Sequence, residues 1–310
     1  MRENKFQTSV TTGRMTLPGV IFFYLSVWMV SLDSWKDLAT LGIAAFTGYL
    51  MIETNTAFTL IRTRTTLPVA FYWTLFSGLV FLHGFGWDSF TPVVFLLATM
   101  HLMRSYESSH APAHVFHSFF FLALGSWGFP PLLWLGPLFF FSTHAFRSLS
   151  LKTFFASLLG VAAPYWLLFG YAYLTDEMFL FLAPLNEVMH FRAVGHSLPP
   201  LHEIISWGVI FVWQMVCNLH YFQVSYQDKT RTRVYLTFLA VCGWWVALLI
   251  LLQPQHIHAW LPVQLLCTSF LAAHLFTLTR NRFSGLFFIV TFAGIILLTG
   301  YNVWMQFFNS

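Results

Sequence analysis

Eight side chains that can move protons or hold anions crowd into residues 176–203: Asp176, Glu177, Glu187, His190, Arg192, His196, His202 and Glu203. A guanidinium beside imidazoles can grip a phosphate or pyrophosphate through paired hydrogen bonds while a histidine transfers a proton. Arg192, His196, His202 and Glu203 form the candidate catalytic set, with Glu187 and His190 as candidate substrate-binding groups. The plainer alternative is a polar loop at headgroup level, with Arg192 paired to Glu187 or to lipid phosphate. A second polar set lies inside apolar runs. Glu53 and Asn55 share one run, and Gln214, Asn218, Tyr221 and Ser225 recur at spacings of four, three and four, which is one face of a helix. A carboxyl group among apolar residues is costly and faces a partner or a wet cavity. Glu53, Gln214 and Asn218 therefore extend the substrate-binding candidates, against hydrogen bonding between helices as the structural alternative, or snorkelling of Glu53 toward Arg62 or Arg64.

Histidine supplies the third set, with 13 in the chain. Glu107, His110, His114 and His117 would stack on one face of a continuous helix, unless Pro112 interrupts that register or marks the first turn of a span. His101, His144, His220 and His274 fall toward the cytoplasmic half of their runs. Imidazoles at similar depth can hold a haem or a metal, with His110, His114 and His117 the residues to watch. Spacing alone does not bring them to the roughly 2 Å of coordination, so no cofactor and no metal are expected.

The elements that position these groups follow from composition. The chain has 310 residues, of which 57% are hydrophobic, 20% aromatic and 8% charged, with mean hydropathy +0.68. Soluble domains carry about 25% charged residues. The composition excludes a soluble enzyme, a disulfide scaffold, a disordered chain and a nucleic-acid-binding domain. About 20 apolar residues are needed to cross a bilayer. Eleven runs are candidates: about 15–32, 38–60, 66–84, 90–106, 113–128, 131–146, 153–174, 203–226, 234–252, 258–279 and 283–307. The fifth and sixth are short and meet at a turn, Gly128-Phe-Pro-Pro131. The expectation is an all-α, polytopic transmembrane bundle of eleven spans, a single domain over residues 1–310 with no soluble domain. The first run follows a basic N-terminus but no small-residue cleavage site, so it is expected to be an uncleaved span.

With the N-terminus cytoplasmic and the C-terminus outside, Lys36 and Arg192 are the only ones of 15 basic residues on the outer side. One missed span would invert every later loop, so this bias supports the count. Most acids fall outside or at the outer boundary. The outer segment 175–202 holds the apolar piece Met178–Leu185, too short to span and expected to lie in the interface or to re-enter. Cys217, Cys242 and Cys267 all sit in apolar runs and are expected to be packing residues.

Part of the chain resembles a known group. Arg62-Thr-Arg-Thr-Thr-Leu-Pro68, Leu97-Ala-Thr-Met-His-Leu-Met-Arg-Ser-Tyr106, Pro130-Pro131, Phe146-Arg-Ser-Leu-Ser-Leu-Lys-Thr-Phe154, Gly160, Pro164-Tyr165 and Thr175-Asp176 resemble an uncharacterised family of polytopic inner-membrane proteins of Bacteroidota. The resemblance covers about a third of the chain, residues 62–68 and 97–176. It implies a cell envelope setting in the inner membrane and brings no catalytic residues with it.

Three functions are expected from these sets. The first is an envelope-biogenesis protein handling a lipid-linked glycan or another amphipathic substrate at the outer leaflet, with membrane lipid as its surroundings. The second is a non-catalytic subunit of a larger envelope or export complex, partnered by other membrane proteins. The third is a haem or metal oxidoreductase. Nucleic acid is not an expected partner.

Overall fold

The computed structural model describes residues 7, 10, 11, 13, 15–32, 34–63, 65–189, 198–279 and 282–309, with only the backbone described at 282, 283 and 307–309. The protein is all-α. Among the described residues there are twelve α-helices and no strand: α1 (Thr16–Ser31), α2 (Asp37–Phe58), α3 (Leu67–Gly78), α4 (Thr91–Arg104), α5 (Ala111–Gly125), α6 (Gly136–Ala145), α7 (Leu151–Leu174), α8 (Phe179–Met189), α9 (Leu201–Val224), α10 (Thr230–Leu252), α11 (Ile257–Leu278) and α12 (Arg282–Asn309). Each of the eleven apolar runs falls on helix. Among the described residues, five stretches are long and apolar enough to cross a membrane: Leu151–Leu174, Leu201–Gln227, Thr230–Leu252, Pro254–Leu278 and Ser284–Gln306. Others are shorter than the runs suggested. Pro130–Leu135 winds as a 3₁₀ turn, and the ten residues of α6 that follow rise only about 15 Å.

Helix starts have local causes. Pro68, Pro92, Pro112 and Pro137 sit in the first turn of α3, α4, α5 and α6, where proline's missing N–H costs nothing. Ser150 caps α7 reciprocally with Thr153. The Asp37 carboxylate accepts from the Ser34 backbone N–H at 2.9 Å and fixes the entry to α2.

The helices gather into two compact units, residues 1–86 with 197–310, and residues 87–196. In the first unit α11 is the axis. It is apolar around most of its circumference, and every residue from Ala259 to Thr277 is buried. It packs on α3, α9 and α10. Helices α1, α2 and α12 pack on α3. The Trp73 indole donates to the Ala44 carbonyl at 3.0 Å and lies over Gly48, where a Cβ would collide with the ring.

In the second unit α5 lies between α4 and α7. At Gly160 of α7 a Cβ would stand 2.6 Å from the Phe116 carbonyl oxygen, so this glycine sets how closely α5 and α7 approach. Ser118 donates to the Ala98 carbonyl at 2.8 Å, tying α5 to α4. The short apolar piece of segment 175–202 is helical, and Phe181 of α8 packs against Tyr165 and Phe169 of α7.

Candidate functional site

The sequence-predicted residues part company in the structure. His190, Arg192 and His196 lie outside the described residues. Glu187 is exposed on α8, in the unit of residues 87–196. Glu53 is exposed on α2, while its neighbour Asn55 turns back to accept from the Ile61 N–H at 3.2 Å. His202, Glu203, Gln214 and Asn218 all belong to α9. Of these, Glu203, Gln214 and Asn218 are buried, on the same face as Ser206, Ile210, Cys217 and Tyr221. The polar stripe of α9 therefore faces inward onto α11 rather than toward lipid.

At the first turn of α9, Glu203 Oε2 lies 3.0 Å from His258 Nε2 in the first turn of α11. The Glu203 side chain is 6% exposed and that of His258 47%. A carboxylate suits this position because the amino end of a helix attracts negative charge. The ring of Phe81 stands 5.9 Å from that of His202 and 5.6 Å from that of His258. Of the four predicted catalytic residues, His202 and Glu203 are neighbours in the chain: Glu203 reaches His258, the first residue of a predicted span, and His202 stands against Phe81, which also faces His258. Its signal was available: the topology puts the starts of α9 and α11 on the same side. A carboxylate that orients a half-exposed imidazole is an arrangement that accepts and passes on protons.

Further along α9 the partners are amides. The Trp207 indole donates to Gln264 Oε1 at 2.9 Å, and Gln264 Nε2 donates to Gln214 Oε1 at 2.6 Å. Gln214 Nε2 lies against Gly243 of α10, where a Cβ would come within 2.8 Å. Beyond this pair the satisfaction fails. Gln214 Nε2, both amide atoms of Asn218 and Ser269 Oγ are buried and have no hydrogen-bond partner among the described residues. Each such group costs about 1–3 kcal/mol relative to a paired one.

The far end repeats the motif of the near end. Asp228, following α9, has its Oδ2 2.8 Å from Nε2 of His274, in the last turns of α11. Its Oδ1 accepts from Arg62 Nε and Nη2 at 2.9 and 2.7 Å. The same Arg62 Nη2 donates to the Gln227 carbonyl. The side chains of His274 and Asp228 are 0% and 1% exposed, against 46% for Arg62. Tyr221 sits edge-on to His274 with centroids 5.5 Å apart, and its hydroxyl donates to the Arg233 carbonyl at 2.8 Å. Sixteen residues separate His258 from His274 on α11, about 24 Å of helix rise.

The remaining histidine set is resolved differently. Glu107 adopts a left-handed backbone (φ 51°) outside α5, and its Oε1 pairs with Arg147 Nη1 at 2.6 Å. It does not join the histidine stack, because α5 begins at Ala111 with Pro112 in its first turn. His114 and His117 face His101 of α4, with ring centroids 6.5 and 5.2 Å away. His110 precedes the helix. Among the described residues no group of three or more His, Cys, Asp or Glu is placed to hold a metal. Cys217, Cys242 and Cys267 are buried free thiols, and burial pushes each thiol into the role of a small packing residue. An apolar cavity of about 550 Å³ between α1, α3 and α12, flanked by Gly19, Phe23, Phe71 and Phe292, could seat a hydrocarbon chain.

No family model, no curated protein and no solved structure matches the chain.

Proposed function

We propose that this chain is an integral protein of a bacterial inner membrane with eleven crossings, N-terminus in the cytoplasm, which binds a lipid-linked or amphipathic substrate of envelope biogenesis at the outer leaflet. The observation that carries this reading is the Glu203–His258 pair beside His202 and Phe81. The distribution of basic residues puts the starts of α9 and α11 on the outer side, at headgroup depth. There a buried carboxylate orients a half-exposed imidazole, so a substrate's phosphate or hydroxyl can exchange a proton with His258 while its chain stays in lipid. Arg192 and His196 share the outer segment in sequence only, and their phosphate-gripping chemistry is an expectation that the Arg192→Ala variant tests. The resemblance of residues 62–68 and 97–176 to an inner-membrane family supports the setting.

The test is chemical. Cells carrying Glu203→Gln, His258→Ala or Arg192→Ala in place of the native gene are profiled for envelope lipids and glycans by mass spectrometry. Accumulation of one lipid-linked species in all three is the expected result, and profiles identical to wild type refute the reading. Reporter fusions after residues 36, 88, 150 and 310 test the topology: outside, outside, inside and outside are expected.

A further inference from the structure

We infer that the α9–α11 seam is a proton path through the membrane, with Glu203–His258 and Asp228–His274 as its two terminal proton-binding pairs. The inference goes beyond the outer-leaflet site, which needs only the first of these pairs.

The seam has the parts a proton path requires. Helices α9 and α11 run in the same direction, because α10 returns between them. Residues at matching heights therefore meet: Glu203 with His258, Trp207 and Gln214 with Gln264, Tyr221 with His274. Each end carries a carboxylate joined to an imidazole, and each end touches the exterior through one half-exposed partner, His258 at one and Arg62 at the other. The groups facing Asp228 are Arg62 from the α2–α3 connection and His274 from α11, with Tyr221 of α9 edge-on to His274. Relay chains of acidic and histidine residues mark proton routes in membrane proteins.

The middle distinguishes a path from simple glue. Interhelical hydrogen bonding explains Gln214–Gln264 and Trp207–Gln264. It does not explain Asn218, 1% exposed, whose amide oxygen and nitrogen both lack partners among the described residues, nor Ser269 Oγ and Gln214 Nε2. A leucine at 218 would fill the position without that cost. Gln214 and Asn218 lie on the buried face of α9 between Glu203 and Tyr221, and their unpartnered amide atoms are donors and acceptors for water. The seam is also narrow. Gln214 presses on Gly243 closely enough that one added methyl would collide. That contact leaves no room for a hydrated metal cation between Gln214 and Gly243. No net chemistry occurs: a proton bound at one pair is released at the other.

The full-length protein is reconstituted in liposomes of neutral phospholipid loaded with a pH-sensitive dye, and a pH gradient is imposed with the potential clamped by potassium and valinomycin. Wild-type vesicles are expected to collapse the gradient about tenfold faster than protein-free ones, and Asp228→Asn, Glu203→Gln and Asn218→Leu to abolish most of that excess. Glu107→Gln, in the other unit, is expected to conduct like wild type. Asn218→Leu removes no paired group, so it stays folded by circular dichroism and carries the test if an acid variant does not fold. Wild-type flux equal to protein-free vesicles overturns the inference, as does full flux in folded Asn218→Leu or an equal flux of sodium. The two proposals separate cleanly, because Asp228→Asn, outside the outer-leaflet site, is expected to lose proton flux while leaving the lipid and glycan profile intact.

Discussion

Removing the Asp228 carboxylate should destabilise the larger unit by about 3 kcal/mol, and the structure says where that comes from. Asp228 accepts two hydrogen bonds from Arg62 and faces His274 Nε2 at 2.8 Å. Charge-assisted bonds contribute about 1.5–3 kcal/mol when both partners are buried. Arg62 is half exposed, so water replaces much of what it loses, and its share falls to about 1 kcal/mol. His274 is fully buried, and its Nδ1 already lacks a partner among the described residues. Stripping the acceptor from Nε2 as well adds about 1–3 kcal/mol. Asp228→Ala should therefore cost about 3 kcal/mol, and Asp228→Asn, which keeps the volume and an acceptor, about 1–2 kcal/mol. The assay is reversible unfolding in mixed detergent micelles, followed by tryptophan fluorescence. A double-mutant cycle tests the reasoning directly. Replacing both partners by apolar groups is far cheaper than orphaning one, so adding His274→Phe to Asp228→Ala should recover about 1 kcal/mol. If Asp228→Ala stays within about 0.5 kcal/mol of wild type, or if His274→Phe recovers nothing, the account of this cluster is wrong.

Three further outcomes are expected. Gly243→Ala should lower stability by about 1–2 kcal/mol in the same assay, because Gln214 is held by Gln264 and cannot swing away from a Cβ 2.8 Å off; Gly243→Ala with Gln214→Ala should restore most of it. Gly160→Val should cost about 3 kcal/mol or abolish expression, since the obstacles are the Phe116 carbonyl and the Phe119 Cβ, which cannot yield without moving α5. Arg147→Ala should shift the unfolding midpoint hardly at all: the Glu107–Arg147 pair is 2.6 Å long, but its side chains are 48% and 68% exposed, and such pairs contribute about 0–1 kcal/mol.

What the sequence could and could not convey divides along physical lines. Helix positions were legible because apolar run length and proline placement are local. Pro68, Pro92, Pro112 and Pro137 each mark a first turn whether or not the tertiary structure is known. The inward face of α9 was legible too, since the four–three spacing of Gln214, Asn218 and Tyr221 is a helical period. Its partners were not. Helix α11 is buried around almost its entire circumference, so Gln264, Ser269 and His274 show no amphipathic period to announce which neighbour they meet. Glu53 was legible only as a pair of alternatives. Of its two readings, a partner or wet cavity against snorkelling toward Arg62 or Arg64, exposure five residues before the end of α2 agrees with the second.

Asp228 escaped attention for a reason that explains its role. In the proposed topology the cytoplasmic turns collect cations, and Lys229-Thr-Arg-Thr-Arg233 looks like orientation signal with an incidental acid beside it. An acid free in such a turn would merely weaken the signal. This one is instead drawn out of water, at 1% side-chain exposure, and surrounded by Arg62 from one connection and His274 from another helix. Orientation needs no buried carboxylate, and stability alone is poorly served by one, because an apolar trio of equal volume does as well or better. The same holds for Glu203 at the other end of α9. Two carboxylates are thus retained at the two ends of one helix, each against a histidine of the same neighbouring helix, and the unpartnered amide of Asn218 lies between them. Packing of α9 on α11 brings these pairs together, and movement of protons along α9 gives a reason for titratable groups to stand at both ends.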